Sequence, residues 1–415
     1  MYPVTSTQLI LKPTQNLRLF AGLASAGFVL TGIVNTFLGP LLPILAARWA
    51  LTDSRAGYFF ATQFLGSIAG VTASSFLLPR RGFRFTIGLS YLLMAVGVRG
   101  LALSQWKYAL MSTLIFGFGF GLVIPATNLF VSRVNQNRRA SALSILNFCW
   151  GIGAVLTPVA IYFSASKGQV LAFLIILSGL LSLTAISVAF TSGGEPPLKE
   201  QNFNDHHSPE HPSHGNPLAD LAQKKPAWHF VAMVGGMFFL YVAIESSVGG
   251  WIATLAERVS SVGTGRWFLA PSLFWAGLLA GRGLAPLVLN RVRERQLAIA
   301  GLALAGSCMC VLVFSSHWQW ITAAGFFVGL GLAAIFPITV ALLSRFQAAE
   351  TRNAGLMFAL SGLGGAVMPW LVGAVSTKSG SLQVGLMVPL VGTVILLWLH
   401  AVGNHGSQPT AETQR

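Results

Sequence analysis

The run WHFVAMVGGMFFLYVAIESSVGGWIATLAER, Trp228 to Arg258, decides the fold. Roughly 20 apolar residues cross the hydrocarbon core of a bilayer as a helix, and this run exceeds that with one charge in its middle. That charge is Glu245. Of the chain's 11 acids, Glu245 alone lies deep inside such a span. A charged side chain there costs about 2.5–3.5 kcal/mol on insertion scales, so Glu245 is expected to face a cavity or a partner. Ser246, Ser247, Val248, Gly249, Gly250 and Trp251 follow it, a polar step and then a narrow helix surface.

The rest of the chain has the same character. Of 415 residues, 54% are hydrophobic and 9% charged, where a soluble protein carries about 25% charged. The mean hydropathy is +0.68. Apolar runs give twelve spans: 17–46, 55–78, 84–103, 107–131, 140–164, 170–191, 227–257, 264–289, 295–315, 318–344, 352–376 and 381–402. Only helices satisfy every backbone group at these lengths in lipid, so the fold class is all-α and polytopic. The expected organisation is a six-helix bundle over 1–191, a flexible linker over 192–226, a second bundle over 227–402 and a disordered tail over 403–415.

The net charge of +15 does not point to nucleic acid, because the basic residues sit in short loops between spans. Seventeen of the 26 Lys and Arg fall on the side that holds both termini, among them Arg80, Arg81, Arg84, Arg291, Arg293 and Arg295. The positive-inside rule makes both termini cytoplasmic, in a bacterial inner (plasma) membrane. Met1 to Asn16 carries Lys12 and no short apolar core, so no cleaved signal peptide is expected. Cys149, Cys308 and Cys310 lie inside apolar spans and form no disulfide pattern. His206, His207, His211 and His214 crowd the linker without carboxylate or cysteine partners; no metal site and no cofactor is expected.

The two halves repeat at an offset near 211 residues. Gly66, Gly70, Arg80 and Arg84 recur as Gly277, Gly281, Arg291 and Arg295. Gly117, Gly119, Pro125 and Thr127 recur one residue later as Gly329, Gly331, Pro337 and Thr339. Gly151, Gly153 and Pro158 recur as Gly362, Gly364 and Pro369. A parallel six-plus-six repeat suggests two bundles that rock about a central site.

Twelve spans, this repeat and the central linker resemble the major facilitator superfamily over the whole chain. The loop Pro79, Arg80, Arg81, Gly82, Phe83, Arg84 resembles that superfamily's signature between its second and third helices. The signature carries an acid where Pro79 stands, and Asn290 holds that position in the second copy, so the usual charge relay does not carry over. Gly117 to Asn128, Leu146-Asn147 through Pro158, and Glu245 through Trp251 are most similar to the fucose-permease branch of sugar:proton symporters and its glucose-transporting relatives. The acids of helices one and four in the fucose permease fall at Gly39 and Ile124, so their coupling role does not carry over either.

The resemblance implies that helices one, four, seven and ten line the cavity, supplying Thr31, Asn35, Thr127, Asn128, Glu245, Ser246, Phe336 and Thr339. Helices two, five and eight add Gln63, Asn147, Trp150, Trp275 and Arg282. Amides and hydroxyls around one acid, with aromatic faces nearby, suit a neutral polyhydroxylated solute or a small amphipathic drug. Candidate binding residues are thus Asn35, Gln63, Asn128, Asn147, Trp150, Glu245, Ser246, Trp251, Trp275 and Thr339, with Glu245 and Arg282 for coupling or gating. The bland alternatives are a carboxyl tied to its neighbours, an arginine that snorkels, asparagines as interhelical glue, and a Trp251 that only anchors. By axial rise Arg282 falls about 10 Å below Glu245, which leaves a direct ion pair open.

The expected function is secondary active transport of a small sugar-like solute by alternating access. Glu245 carries the coupling proton, sodium being the other candidate ion. An exporter of drugs or amphipathic compounds is the alternative, and a transporter-like receptor without flux a further one. One chain in the lipid bilayer suffices for each. No nucleophile–base set, nucleotide loop or metal motif suggests an enzyme.

Overall fold

The computed structural model describes residues 15–102, 105–135, 138–191, 228–260, 266–345 and 351–402. The expected linker and tail, with the linker histidines, lie outside the described residues. Among those residues all regular elements are helical. In chain order they are α1 (Gln15–Thr36), α2 (Leu38–Trp49), α3 (Asp53–Gly100), α4 (Trp106–Val134), α5 (Arg139–Ser166), α6 (Val170–Phe190) and α7 (Trp228–Val259). After a short 3-10 turn, Arg266–Phe268, come α8 (Leu269–Leu289), α9 (Glu294–Phe314) and α10 (Trp318–Leu332). The last are α11 (Ile335–Arg345), α12 (Thr351–Ser379), α13 (Leu382–Gly385) and α14 (Met387–Val402).

Three of the expected spans are broken, each for the same reason. The first bends by 43° between α1 and α2. Pro40 has no N–H to offer the Thr36 carbonyl, and α1 stops at Thr36. Pro337 stands in the same relation to Ala333, where α10 gives way to α11, and Pro389 to Gly385, where α13 ends. Conversely, spans 55–78 and 84–103 form one helical string, interrupted only at Gly82. Its φ of 79° is a conformation that favours glycine. With α3 counted as two crossings and each broken span as one, twelve spans result among the described residues.

The repeat is visible in the packing. Lipid supplies no hydrophobic drive between helices, so small residues that let backbones touch must hold them together. A Cβ on Gly66 of α3 would lie against the Leu114 carbonyl of α4; on Gly277 of α8 it would lie against the Phe326 carbonyl of α10. These are the same contact in the two bundles. Between bundles, a Cβ on Gly151 of α5 would come within 2.5 Å of Leu279 on α8. One on Gly362 of α12 would come within 2.6 Å of Ile68 on α3. The 211-residue offset converts one contact into the other, so the two seams are pseudosymmetric copies.

Gly277→Ala is therefore expected to cost about 1–3 kcal/mol through overpacking. Gly283, whose added methyl meets nothing within 4 Å, is the control, with an expected change within about 0.5 kcal/mol. Thermal unfolding of the purified variants checks both, and equal midpoints would remove the close-approach argument.

Counting crossings from α1 puts Asp53, Tyr162, Arg258, Phe268 and Ser376 on the face away from the termini, where the bundles meet. Arg258 of α7 clasps Asp53 of α3 through Nη1 to Oδ2 at 2.8 Å and Nη2 to Oδ1 at 2.5 Å. The Ser376 hydroxyl donates to Asp53 Oδ2 at 2.5 Å, and the Ser54 N–H donates to Thr377 Oγ1 at 2.7 Å. Tyr162 of α5 stacks on Phe268 at 4.1 Å. On the half nearer the termini the α5–α8 seam holds a cavity of about 1120 Å³.

Candidate functional site

Glu245 sits on α7 with its side chain 13% exposed. Arg282 of α8 brings Nη2 to 3.8 Å from Glu245 Oε1. The axial spacing read from sequence counts backbone height alone; the arginine stem climbs toward the acid and closes the gap. Arg282 Nη2 also donates to the Tyr241 hydroxyl at 3.5 Å, and Tyr241 lies one helical turn before Glu245. The Arg282 guanidinium stands 5.7 Å from the Trp150 ring, across the bundle boundary on α5. Trp150 meets Trp275 of α8 edge-on at 5.7 Å and 82°. Phe336 closes the group from α11, its ring 5.5 Å from that of Tyr241.

This joins an acid, its counter-charge and an aromatic relay to the other bundle. Arg282 remains 28% exposed because it also lines the 1120 Å³ cavity, with Ser141, Ser144, Asn147 and Phe336. The arginine of the pair thus borders that cavity.

A second, smaller cavity of about 30 Å³ lies one turn further from the termini. Asn35 of α1, Gln63 of α3, Ser246 of α7 and Trp275 of α8 line it, below Gly39, Gly249 and Gly250. Gln63 Nε2 donates to the Asn35 carbonyl at 3.3 Å and to Asn35 Oδ1 at 3.4 Å. Seven of the residues expected at the site therefore converge: Asn35, Gln63, Trp150, Glu245, Ser246, Trp275 and Arg282.

The other four are placed differently. Asn128 donates to the Ile124 carbonyl at 2.8 Å and Thr339 to the Ile335 carbonyl at 2.8 Å, each within its own helix. Asn147 donates to the Leu143 carbonyl at 2.9 Å and faces the larger cavity. Trp251 is fully buried, its N–H given to the Pro369 carbonyl of α12 at 2.8 Å, which ties two helices of one bundle.

Sequence reasoning passed over Tyr241, hidden as one more aromatic in an apolar run; its spacing of four before Glu245 is the signal that could have found it. Asp53 and Arg258 were passed over as ordinary loop charges. Their common membrane level on opposite halves was the available clue.

With this geometry in hand, comparison with known proteins is decisive for the family. The model of the Major Facilitator Superfamily matches residues 24–344. The chain belongs to the major facilitator superfamily. It is a membrane transporter, not an enzyme. The glucose/mannose transporter GlcP of Bacillus subtilis (strain 168) is 25% identical over 363 residues, 84% of this chain and 86% of that protein. Among solved structures, a mutant of the nucleoside transporter NupG matches with a TM-score of 0.74 at 11% identity, covering 93% of this chain and 99% of that one. The fucose:proton symporter FucP of E. coli matches with a TM-score of 0.61 at 15% identity, covering 95% and 100%. Both structural likenesses show the facilitator fold.

Proposed function

We propose that this facilitator is a proton-coupled carrier of a neutral polyhydroxylated solute, a hexose first, working by alternating access as a single chain in the bacterial inner membrane. Its termini are cytoplasmic, so the latched face is outward and the 1120 Å³ cavity lies on the inward half. The observation that carries the reading is the Glu245–Arg282 pair, 3.8 Å apart, whose arginine lines that cavity. The named activity of the 25%-identical glucose/mannose transporter supports the solute class.

In this scheme the ionised Glu245 holds Arg282. A proton arriving on Glu245 cancels that attraction and leaves Arg282 to Trp150 on the other bundle and to water in the cavity. Protonation thereby favours one arrangement of the bundles over the other, because only one needs the pair intact. Asn35, Gln63 and Ser246 read the solute's hydroxyls, with Asn147 further along its path.

Reconstituted protein with an imposed proton gradient tests this through uptake of labelled D-glucose. The wild type is expected to accumulate it, with a sodium gradient as the rival driving force. Glu245→Gln is expected to exchange glucose across the membrane without accumulating it. Accumulation by that variant equal to the wild type would remove the proton role.

A second reading is export of an amphipathic compound. It is favoured by Ile145, Phe148 and Leu156, exposed apolar walls of the same cavity. Thermal-shift measurements against hexoses and lipophilic cations separate the two: stabilisation by the cations alone would move the assignment to the exporter.

A further inference from the structure

A cavity of about 500 Å³ lies between α3 and α6, on the half nearer the termini and away from the seam between the bundles. Gly88 of α3 and Ala185 and Ala189 of α6 line it, with Arg84 at its end. Phe85, Leu92, Ile186 and Phe190 border it and are exposed. An exposed apolar side chain within a membrane span faces acyl chains, so the cleft opens sideways into lipid. From Arg84 to Leu92 α3 rises about 12 Å, most of one leaflet of a hydrocarbon core about 30 Å thick.

The charge around it is one-sided. From Ser54 to Gly194 the chain carries ten Lys and Arg and not one Asp or Glu. Arg80, Arg81, Arg84, Arg133, Arg138 and Arg139, six of those ten, fall on the side of the termini. Two of them reach the cleft. Arg84 lines it, and the Arg81 guanidinium stands 5.5 Å from the ring of Phe85 at its edge. Basic pockets between spanning helices suit anionic lipid headgroups.

Close helix approach does not account for Gly88. A Cβ there would meet the Ala185 carbonyl at 3.6 Å, an ordinary contact, unlike the overlaps at Gly66 and Gly277. The second bundle treats the equivalent place differently. Gly88 matches Ile299 of α9 at the 211-residue offset. Helix α6 matches α14 one residue later, which pairs buried Leu181 and Val188 with buried Thr393 and His400. Ala185 then matches Leu397, so large side chains stand where the first bundle keeps Gly and Ala. Arg84 and Ala189 match Arg295 and Ala401, and there the guanidinium donates to the Ala401 carbonyl. The cleft is thus a feature of one half of the repeat.

We propose that the α3–α6 cleft is a binding site for one anionic phospholipid. Its phosphate sits on Arg84 and Arg81, and one acyl chain lies between Gly88 and Ala185 along α3. The lipid joins the two helices from the side, where Ile299 and Leu397 do so in the second bundle. The site stands apart from the solute path, whatever solute is carried.

The test is titration of the full-length purified protein with phosphatidylglycerol or phosphatidylcholine of identical chains, read by native mass spectrometry. The wild type is expected to bind phosphatidylglycerol about 25-fold more tightly, about fivefold for each of two arginines. Arg84→Gln is expected to lose about fivefold of that preference, and Arg295→Gln, its counterpart in the repeat, none. Gly88→Ile keeps both arginines but fills the cleft, and is expected to weaken phosphatidylglycerol at least tenfold. If Gly88→Ile fails to fold, the two arginine variants still decide. Equal binding of the two lipids, equal losses in Arg84→Gln and Arg295→Gln, or an undiminished preference in Gly88→Ile overturns the site. Inorganic phosphate binding as tightly as phosphatidylglycerol would mark a free-anion site and overturns the lipid assignment.

Discussion

Arg282→Ala is expected to reduce solute accumulation by roughly 100-fold, matching the loss of about 2.5–3.5 kcal/mol that an unpaired intramembrane charge costs. The loss follows from what is left behind. Removing the guanidinium strands Glu245 at 13% exposure with Tyr241 as its remaining neighbour on α7. The carboxyl is then left in the span without its counter-charge. With no partner to release and recapture, the pair cannot cycle. The double variant Glu245→Gln/Arg282→Ala has no stranded charge, so it should fold as well as the wild type and pass solute down its gradient without concentrating it. Uptake and exchange in proteoliposomes check both, beside thermal midpoints for stability. Full accumulation by Arg282→Ala would show that the pair is structural.

Asp53→Asn is expected to open the outward face. An isolated surface ion pair is worth about 0–1 kcal/mol, but this one is bidentate, reinforced by Ser376, and only 11% exposed on the Asp53 side. Its loss should raise the outward-open population about tenfold, the effect of about 1.4 kcal/mol. Spin labels at Leu51→Cys and Val259→Cys, with Cys149, Cys308 and Cys310 changed to alanine, read the separation of the bundles directly. The expected record is a new, longer distance in Asp53→Asn that shrinks again in the charge-swapped pair Asp53→Arg/Arg258→Asp. High salt should mimic the asparagine variant, since an exposed guanidinium is screened. A distance distribution indifferent to Asp53 would remove the latch.

Much of the fold was legible because lipid restricts what a chain can do. Apolar runs have to be helices, and the glycines that repeat at 211 residues have to sit where backbones touch, as Gly66 and Gly277 do. Glu245 stood out because an acid in hydrocarbon needs a reason. The breaks before Pro40, Pro337 and Pro389 were implicit in the missing N–H, yet hydropathy, which ignores hydrogen bonds, passes through them. Side-chain direction was the part least available. Asn128, Asn147 and Thr339 share their polarity with Asn35 and Gln63, but each bonds a carbonyl of its own helix, a local choice that composition does not reveal. Asp53 and Arg258 are 205 residues apart, and only the assembled seam brings them together.

The edge-on contact of Trp150 with Trp275 gives the molecule an optical marker of its own. Two indoles 5.7 Å apart at 82° couple their electronic transitions, and the coupling falls steeply as the rings separate. Each ring belongs to a different bundle, so the chiral signal they produce in the near ultraviolet belongs to one posture of the carrier alone. Turnover could then be followed in unlabelled protein by polarised light, with Trp150→Phe as the dark control.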